Sequence, residues 1–206
     1  MSQPTEHVLL QGISWSTYET LLAELEAAHQ HARLTYDHGD LEILARSFRH
    51  ERFKKLTGRL VATLTEELAI PMESGGSTTL KSVRLEKGLD PDGCYWIANE
   101  AKVRGKDFLC EQDPPPDLAV EIEVVPSTLS RFTVYAALGV REIWLWKDRL
   151  TFHGLVEGDY REIEKSLSFP RLGPEPLTRF LLEAHEADET TWIRKFRAWV
   201  RDELSL

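Results

Sequence analysis

Apolar residues recur along this chain with two periods, and each period predicts an element. Tyr18, Leu21, Leu22, Leu25 and Ala28 repeat at helical spacing, which predicts a first helix over residues 14–31. Ser16 and Glu19 carry the spacing of a capping box at its start. Phe53, Leu56, Leu60, Leu64 and Leu68 form the inner stripe of a second helix over 48–69, ended by Pro71. Between the two, residues 34–36 and 41–44 flank Asp37-His38-Gly39-Asp40, the composition of a hairpin. Strand character returns at Thr78-Thr79-Leu80, after a Gly75-Gly76 turn, and at residues 94–97, after Asp90-Pro91-Asp92-Gly93. Residues 102–107 read as a polar loop, and Asp113-Pro114-Pro115-Pro116 as a stiff connector.

The clearest strand covers 117–125. A helix over 128–138, stopped by Gly139, and a strand over 142–146 follow it. Such a strand–helix–strand unit favours parallel pairing with a right-handed crossover. A hairpin over 149–163 and a Pro-rich link (Pro170, Pro174, Pro176) lead to C-terminal helices with the stripe Trp192, Phe196, Trp199 and Val200. The pattern is that of a mixed α/β (α+β) chain. It comprises one main domain over 1–170 and a helical extension over 171–206 packed on the same domain.

Composition narrows the class. With 25 Lys and Arg against 34 Asp and Glu, the 206 residues carry a net charge of −9. A 42% hydrophobic and 29% charged content is that of a folded chain with a sizeable core. No apolar run reaches the ~18–20 residues of a bilayer span, and the first six residues show no secretory pattern. Cys94 and Cys110 are too few for a disulfide framework, so a reducing cytoplasm is expected and a membrane is not. The acidity speaks against binding nucleic acid by bulk electrostatics.

The candidate chemistry centres on the strand over 117–125. Side chains alternate along a strand, so Leu118, Val120, Ile122 and Val124 share one face, and Asp117, Ala119, Glu121, Glu123 and Val125 the other. Glu121 and Glu123 then stand ~6.6 Å apart. On a buried face, like charges that close need a cation between them, and a hard divalent ion accepts carboxylate oxygens readily. On a solvated face they are two surface acids. Asp92, ahead of the strand over 94–97, is a candidate further carboxylate or a plain turn residue. His50 and Glu51 open the second helix among Arg46, Arg49, Arg52, Lys54, Lys55 and Arg59, the chain's one concentrated basic stretch. That stretch is either a phosphate-tracking surface or a solvated helix face. Arg131, one turn before Tyr135, and Lys81 are candidate cations for the site, or ordinary surface charges. The histidines form no zinc pattern, and no phosphate loop or nucleophile elbow is present.

A set of blocks, taken in order, resembles the Uma-two family of bacterial proteins, which are labelled restriction endonucleases. The blocks are Leu41-Glu42-Ile43, His50-Glu51, Gly76-Ser77-Thr78-Thr79, Pro91-Asp92, the run from Pro115 to Glu123, and the run from Tyr135 to Trp144. The resemblance covers about residues 15–165. It implies a restriction-endonuclease-like core, a central mixed β-sheet flanked by helices, within the nuclease superfamily signed Pro-Asp…(Asp/Glu)-x-Lys. The implied chemistry is phosphodiester hydrolysis with Mg²⁺ or Mn²⁺. Asp92 and Glu121 then hold the metal, and Glu51 matches the superfamily's extra helix acid. The signature asks for Lys where this chain has Glu123. Arg131 stands where a helix lysine takes over in many members, and a guanidinium cannot shuttle protons.

The expected catalytic residues are therefore Asp92, Glu121, Glu123, Arg131 and Glu51. His50, Arg52, Lys54, Lys55 and Lys81 are expected to face nucleic acid. The first expectation is a Mg²⁺-dependent endonuclease that contacts DNA weakly and acts as a homodimer. Two others stay open. One is a nuclease fold that has lost catalysis and serves as a binding or interaction module. The other is an oligomerisation protein built on the aromatic C-terminal stripe.

Overall fold

The computed structural model describes residues 7–30, 32–44, 47–108 and 111–204. His31, Arg46, Cys110 and the first six residues, all read above, lie outside them. In chain order the elements are β1 (His7–Leu10), α1 (Trp15–Ala27), β2 (Arg33–Asp37), β3 (Asp40–Leu44), α2 (Phe48–Glu67), β4 (Glu73–Gly76), β5 (Leu80–Ser82), β6 (Lys87–Leu89), β7 (Gly93–Trp96), α3 (Glu100–Val103), β8 (Leu118–Ile122), α4 (Arg131–Leu138), β9 (Glu142–Trp146), β10 (Leu150–Val156), β11 (Asp159–Ile163), α5 (Pro174–Glu183) and α6 (Glu189–Glu203).

The fold is α+β, as the sequence pattern predicts, with a mixed sheet flanked by helices. That sheet has six strands in the order β11-β10-β9-β8-β7-β4. Its one parallel pair is β8–β9, joined through α4. The helix starts where Ser130 accepts a bond from the Thr133 N–H, and it ends at Gly139, whose φ of +80° favours glycine. Sequence reading did not separate a second sheet of five strands, β1-β3-β2-β6-β5. The β2–β3 hairpin is its centre, with His38 and Gly39 in the turn. Strands β1, β5 and β6 are three or four residues long, too short to show a period of two.

Two further differences concern element ends. Ser14 rather than Ser16 caps α1, accepting from the Thr17 N–H. Strand β8 stops at Ile122, so Glu123 lies beyond its end. The core sits on both faces of the six-stranded sheet. On one face, Leu118, Val120 and Ile122 of β8 pack with Leu56, Leu60 and Leu64 of α2 and with α5 and α6. On the other, Ala119 and Ile143 meet Val134 and Tyr135 of α4 and Leu80 and Leu89 of the smaller sheet.

The C-terminal helices close the first face. Trp192, Phe196 and Val200 of α6 are buried, and Trp199 stacks 5.7 Å from the Phe196 ring. The aromatic stripe is thus interior packing within one chain. Arg197 and Arg201 of α6 pair with Glu67 at the end of α2, and Arg59 pairs with Glu189 at 2.9 Å. No helix among the described residues is long and apolar enough to cross a membrane.

Candidate active site

The register of two antiparallel strands places the site. Gly93 pairs with Val120, so one further step brings Asp92 opposite Glu121. The backbone continues that pairing, since the Asp92 N–H donates to the Val120 carbonyl at 3.2 Å. The Asp92 carboxylate closes it from the other side, with Oδ2 accepting the Ile122 N–H at 2.8 Å. Both acids are buried, at 2% and 3% exposure, so neither belongs to a solvated strand face.

Buried carboxylates need compensation, and three elements supply it. Arg131, at the start of α4, grips Glu121 bidentately, with Nε to Oε2 and Nη2 to Oε1, each at 2.9 Å. One turn later Tyr135 donates its hydroxyl to Glu121 Oε1. Strand β2 contributes Arg33 and Thr35, which point away from Leu34 and Tyr36 and towards the six-stranded sheet. Arg33 Nη2 contacts Glu121 Oε2 and lies 3.1 Å from Asp92 Oδ2, so one guanidinium nitrogen bridges the two acids. Arg131 also donates to the Thr35 hydroxyl and, at 2.6 Å, to the Asp90 carbonyl. His50, on the first turn of α2, places Nε2 3.1 Å from Asp92 Oδ1 and 3.5 Å from Arg33 Nη1.

The electrostatics follow from these contacts. Burial alone pushes the Asp92 carboxyl up. Arg33, His50 and the Ile122 N–H outweigh it and hold the group well below the usual carboxylate range. Burial opposes the charge of Arg131, but Glu121 reverses the balance and raises it above the ordinary guanidinium value. Burial, followed by Glu121, raises the Tyr135 phenol well above its usual range, so it remains a donor. Asp92 and Glu121 carry two negative charges, and Arg33 and Arg131 two positive ones.

The remaining expected site residues are distributed unevenly. Glu51 lies beside His50, with Oε1 3.4 Å from Nδ1. Glu123 stands apart from Glu121, because it leaves the strand and pairs with Lys147 at 2.9 Å. Of the expected nucleic-acid face, His50 is buried in the site rather than displayed. Arg52 donates to the Ala184 carbonyl at 3.0 Å, Lys54 to the Ser77 hydroxyl at 2.6 Å, and Lys81 pairs with Glu19 at 3.0 Å. Lys55 is exposed.

Sequence reading missed Arg33, Thr35 and the Asp90 carbonyl. A signal for the first two was present. Arg33-Leu34-Thr35-Tyr36 alternates polar and apolar, and a polar face on a hairpin reads as solvent-facing until a second layer covers it. Asp90 holds the corner between β6 and β7. Its carboxylate accepts from the Leu34 N–H at 3.0 Å and from the Thr79 hydroxyl at 2.6 Å, leaving its carbonyl for Arg131.

The donor set suits a hard divalent cation in kind. The carboxylates of Glu121 on β8 and of Asp92, one residue before β7, converge on one positive centre, and buried Asp92 Oδ1 accepts no aligned hydrogen bond. That centre here is the Arg33 guanidinium. No group of three or more His, Cys, Asp or Glu side chains among the described residues is arranged to hold a metal. Further ligands would have to be backbone oxygens or water.

Comparison with known proteins gives the family. A solved structure, a putative nuclease belonging to DUF820 from Anabaena variabilis, aligns over 72% of this chain and 90% of its own. The identity is 13% and the TM-score 0.47. No curated protein matches. The Uma2 family model, described as putative restriction endonuclease, matches residues 15–184, which takes in β2, α2, β7, β8 and α4 and so every residue of the site. The chain belongs to the Uma2 family.

Proposed function

We propose that this chain is a nuclease that hydrolyses phosphodiester bonds of DNA with Mg²⁺ or Mn²⁺ at the Asp92–Glu121 pair. One observation carries the reading: two buried carboxylates, Glu121 on β8 and Asp92 one residue before β7, converge on a single cationic centre. Asp92 and Glu121 are the residues that would hold the ion. When bound, it supplies Lewis acidity to the phosphoryl group and lowers the pKa of a water.

The chain's own residues divide the other tasks. Arg131 is fixed from four sides and orients Glu121. It can stabilise phosphate charge but cannot return a proton. The proton-handling group in the cluster is the His50 imidazole, beside Asp92. Contact with nucleic acid is expected to be weak and salt-sensitive, because of the net charge of −9 and because Arg52 and Lys54 of α2 are already bonded within the chain.

Plasmid nicking with Mg²⁺ and with Mn²⁺ tests the reading. Wild-type protein nicks, and both Asp92→Ala and Glu121→Ala lose at least a hundredfold. Nicking that persists in both variants removes the assignment.

A second reading has its own observation. Both oxygens of Glu121 are occupied by Arg33, Arg131 and Tyr135, as in a site that has exchanged metal chemistry for ion pairs. Under that reading the fold binds nucleic acid or a protein without cleaving. Fluorescence anisotropy that shows binding of labelled DNA by a protein that never nicks it favours this second reading.

A further inference from the structure

The two arginines of the site are held very differently. Arg131 has both Glu121 oxygens, the Thr35 hydroxyl and the Asp90 carbonyl as partners, and its guanidinium lies 5.9 Å from the Tyr135 ring centroid. Five contacts on three elements and a corner fix it in place. Arg33 depends on one nitrogen. Its Nη2 meets Glu121 and Asp92, whereas its Nε reaches the Asp90 carbonyl only at 3.4 Å and its Nη1 reaches His50 only at 3.5 Å. Those two distances lie at the weak end of hydrogen bonding. The grip on Arg33 is therefore almost entirely the carboxylate pair itself.

We infer that Arg33 is an exchangeable counter-ion of the Asp92–Glu121 pair, and that a divalent cation and the Arg33 guanidinium compete for one position. The inference rests on the reading of that pair as a metal site. Its physical basis is charge and geometry. Two carboxylates this deeply buried are unstable without a cation, so the pair is filled in either state. The exchange alters the local charge. With Arg33 seated, two acids and two arginines sum to zero. With a divalent ion seated, the cluster without Arg33 sums to +1, and the released guanidinium adds a further positive charge beside it. Metal loading thus converts a neutral site into one that attracts phosphate. In this way an acidic protein gains affinity for a polyanion only when it is loaded.

Calorimetric titration with MnCl₂ alone tests the competition, using wild type, Arg33→Met, Arg33→Lys and Arg33→Met/Glu121→Gln. Arg33→Met is expected to bind Mn²⁺ at least tenfold more tightly than wild type, and the double variant is expected to lose that gain. Arg33→Met binding no more tightly than a wild type that does bind overturns the competition and leaves the metal site standing. Absence of Mn²⁺ binding in every protein overturns both. If Arg33→Met fails to fold, Arg33→Lys still tests the competition. A lysine reaches less far and has no planar fork, so this variant also binds Mn²⁺ more tightly than wild type, and equal affinity overturns the inference. A readout on unaltered protein is independent of any variant. Saturating Mg²⁺ is expected to speed hydrogen exchange at the Arg33 guanidinium, followed by ¹⁵N NMR, while Arg131 stays protected. Arg33 remaining as protected as Arg131 at saturation overturns the competition.

Discussion

On one face of β8, Leu118, Val120 and Ile122 meet the leucines of α2 and the aromatic rings of α5 and α6. On the other, Ala119 and Glu121 meet α4, β2 and a pair of arginines. Both faces exclude water to the same degree, since all five residues of the strand are buried. They are stabilised in different ways. The apolar face gains roughly 25 cal/mol per Å² of surface removed from water, in any packing that fills the space. The polar face gains only if each charge finds its partner at bonding distance, and it loses heavily if one partner is missing. The first face tolerates substitution gradually. The second is all-or-none, and for that reason a fixed geometry of acids is placed there.

The largest effect should follow from removing the acid that both arginines share. Glu121→Ala takes the shared acid from two buried guanidinium groups and a tyrosine hydroxyl, leaving one carboxylate for two cations, so a loss of about 5 kcal/mol is expected in urea unfolding. Leu118→Ala, two strand positions before Val120 on the apolar face, should cost less, about 3 kcal/mol, as a cavity. If the two losses are equal, the charge network has no special sensitivity. A sharper form replaces the network as a whole. Arg33→Met, Asp92→Asn, Glu121→Leu and Arg131→Met combined should destabilise less than Glu121→Ala alone, because no carboxylate or guanidinium of the network is left without a partner.

Arg131→Lys comes next. It keeps the charge but loses the bidentate fork on Glu121 and reaches fewer of the Thr35 and Asp90 partners. Hydrogen bonds to charged groups are worth about 1.5–3 kcal/mol each, and water recovers part of that, so a loss of about 2 kcal/mol is expected. A lysine can give up a proton where an arginine cannot. If the site hydrolyses DNA, the pH profile of nicking in this variant should acquire a limb that wild type lacks.

The same comparison bears on what was legible in the sequence. Strand β8, helix α4 and strand β9 could be read because period, cap and Gly139 all lie within one local stretch. The Asp92–Glu121 pairing was suggested by order and by family blocks, and the register of β7 on β8 sets its geometry. Arg33 was not legible. Its face counts as solvent-exposed from local alternation, and it is buried because Glu121 of β8, 88 residues further along the chain, and His50 of α2 close over it. Glu123 shows the converse error. Its face was assigned by extending a period one step past the point where the strand ends. Local periodicity predicts elements, but it cannot tell which polar face a distant strand will cover.

Acidity separates the two faces by a smaller margin. The Asp92 carboxyl is held below its usual range, so its folded-state pKa lies below the unfolded value of about 3.9. A depressed acid stabilises the fold fully above the unfolded pKa, and that contribution drains away as pH falls towards the folded one. Wild-type stability should therefore decline below about pH 4. In Asp92→Asn the protein starts less stable at pH 7, and its decline below about pH 4 is shallower, because one acid no longer titrates. The decline does not vanish. Asp37, Glu67, Glu100 and Asp188 also have lowered values and remain. Leu118→Ala, on the apolar face, should shift the whole curve down without changing its slope. Parallel curves for wild type and Asp92→Asn would remove Asp92 from the acid response.

The smallest effect belongs to neither face and calibrates both. Arg59 and Glu189 meet at 2.9 Å, but their side chains are 37% and 54% exposed. Water and salt screen such a pair, so Glu189→Gln should cost less than about 1 kcal/mol, with the difference shrinking further at 1 M salt. The Arg131–Glu121 pair has the same N–O distance of 2.9 Å, with side chains 7% and 4% exposed. With distance matched, any excess of Glu121→Gln over Glu189→Gln measures what burial and multiplicity of partners add. An exposed pair that proves as costly as the buried one would show that distance alone sets the energy, and it would remove the reason for regarding the Asp92–Glu121 network as more than an ordinary set of ion pairs.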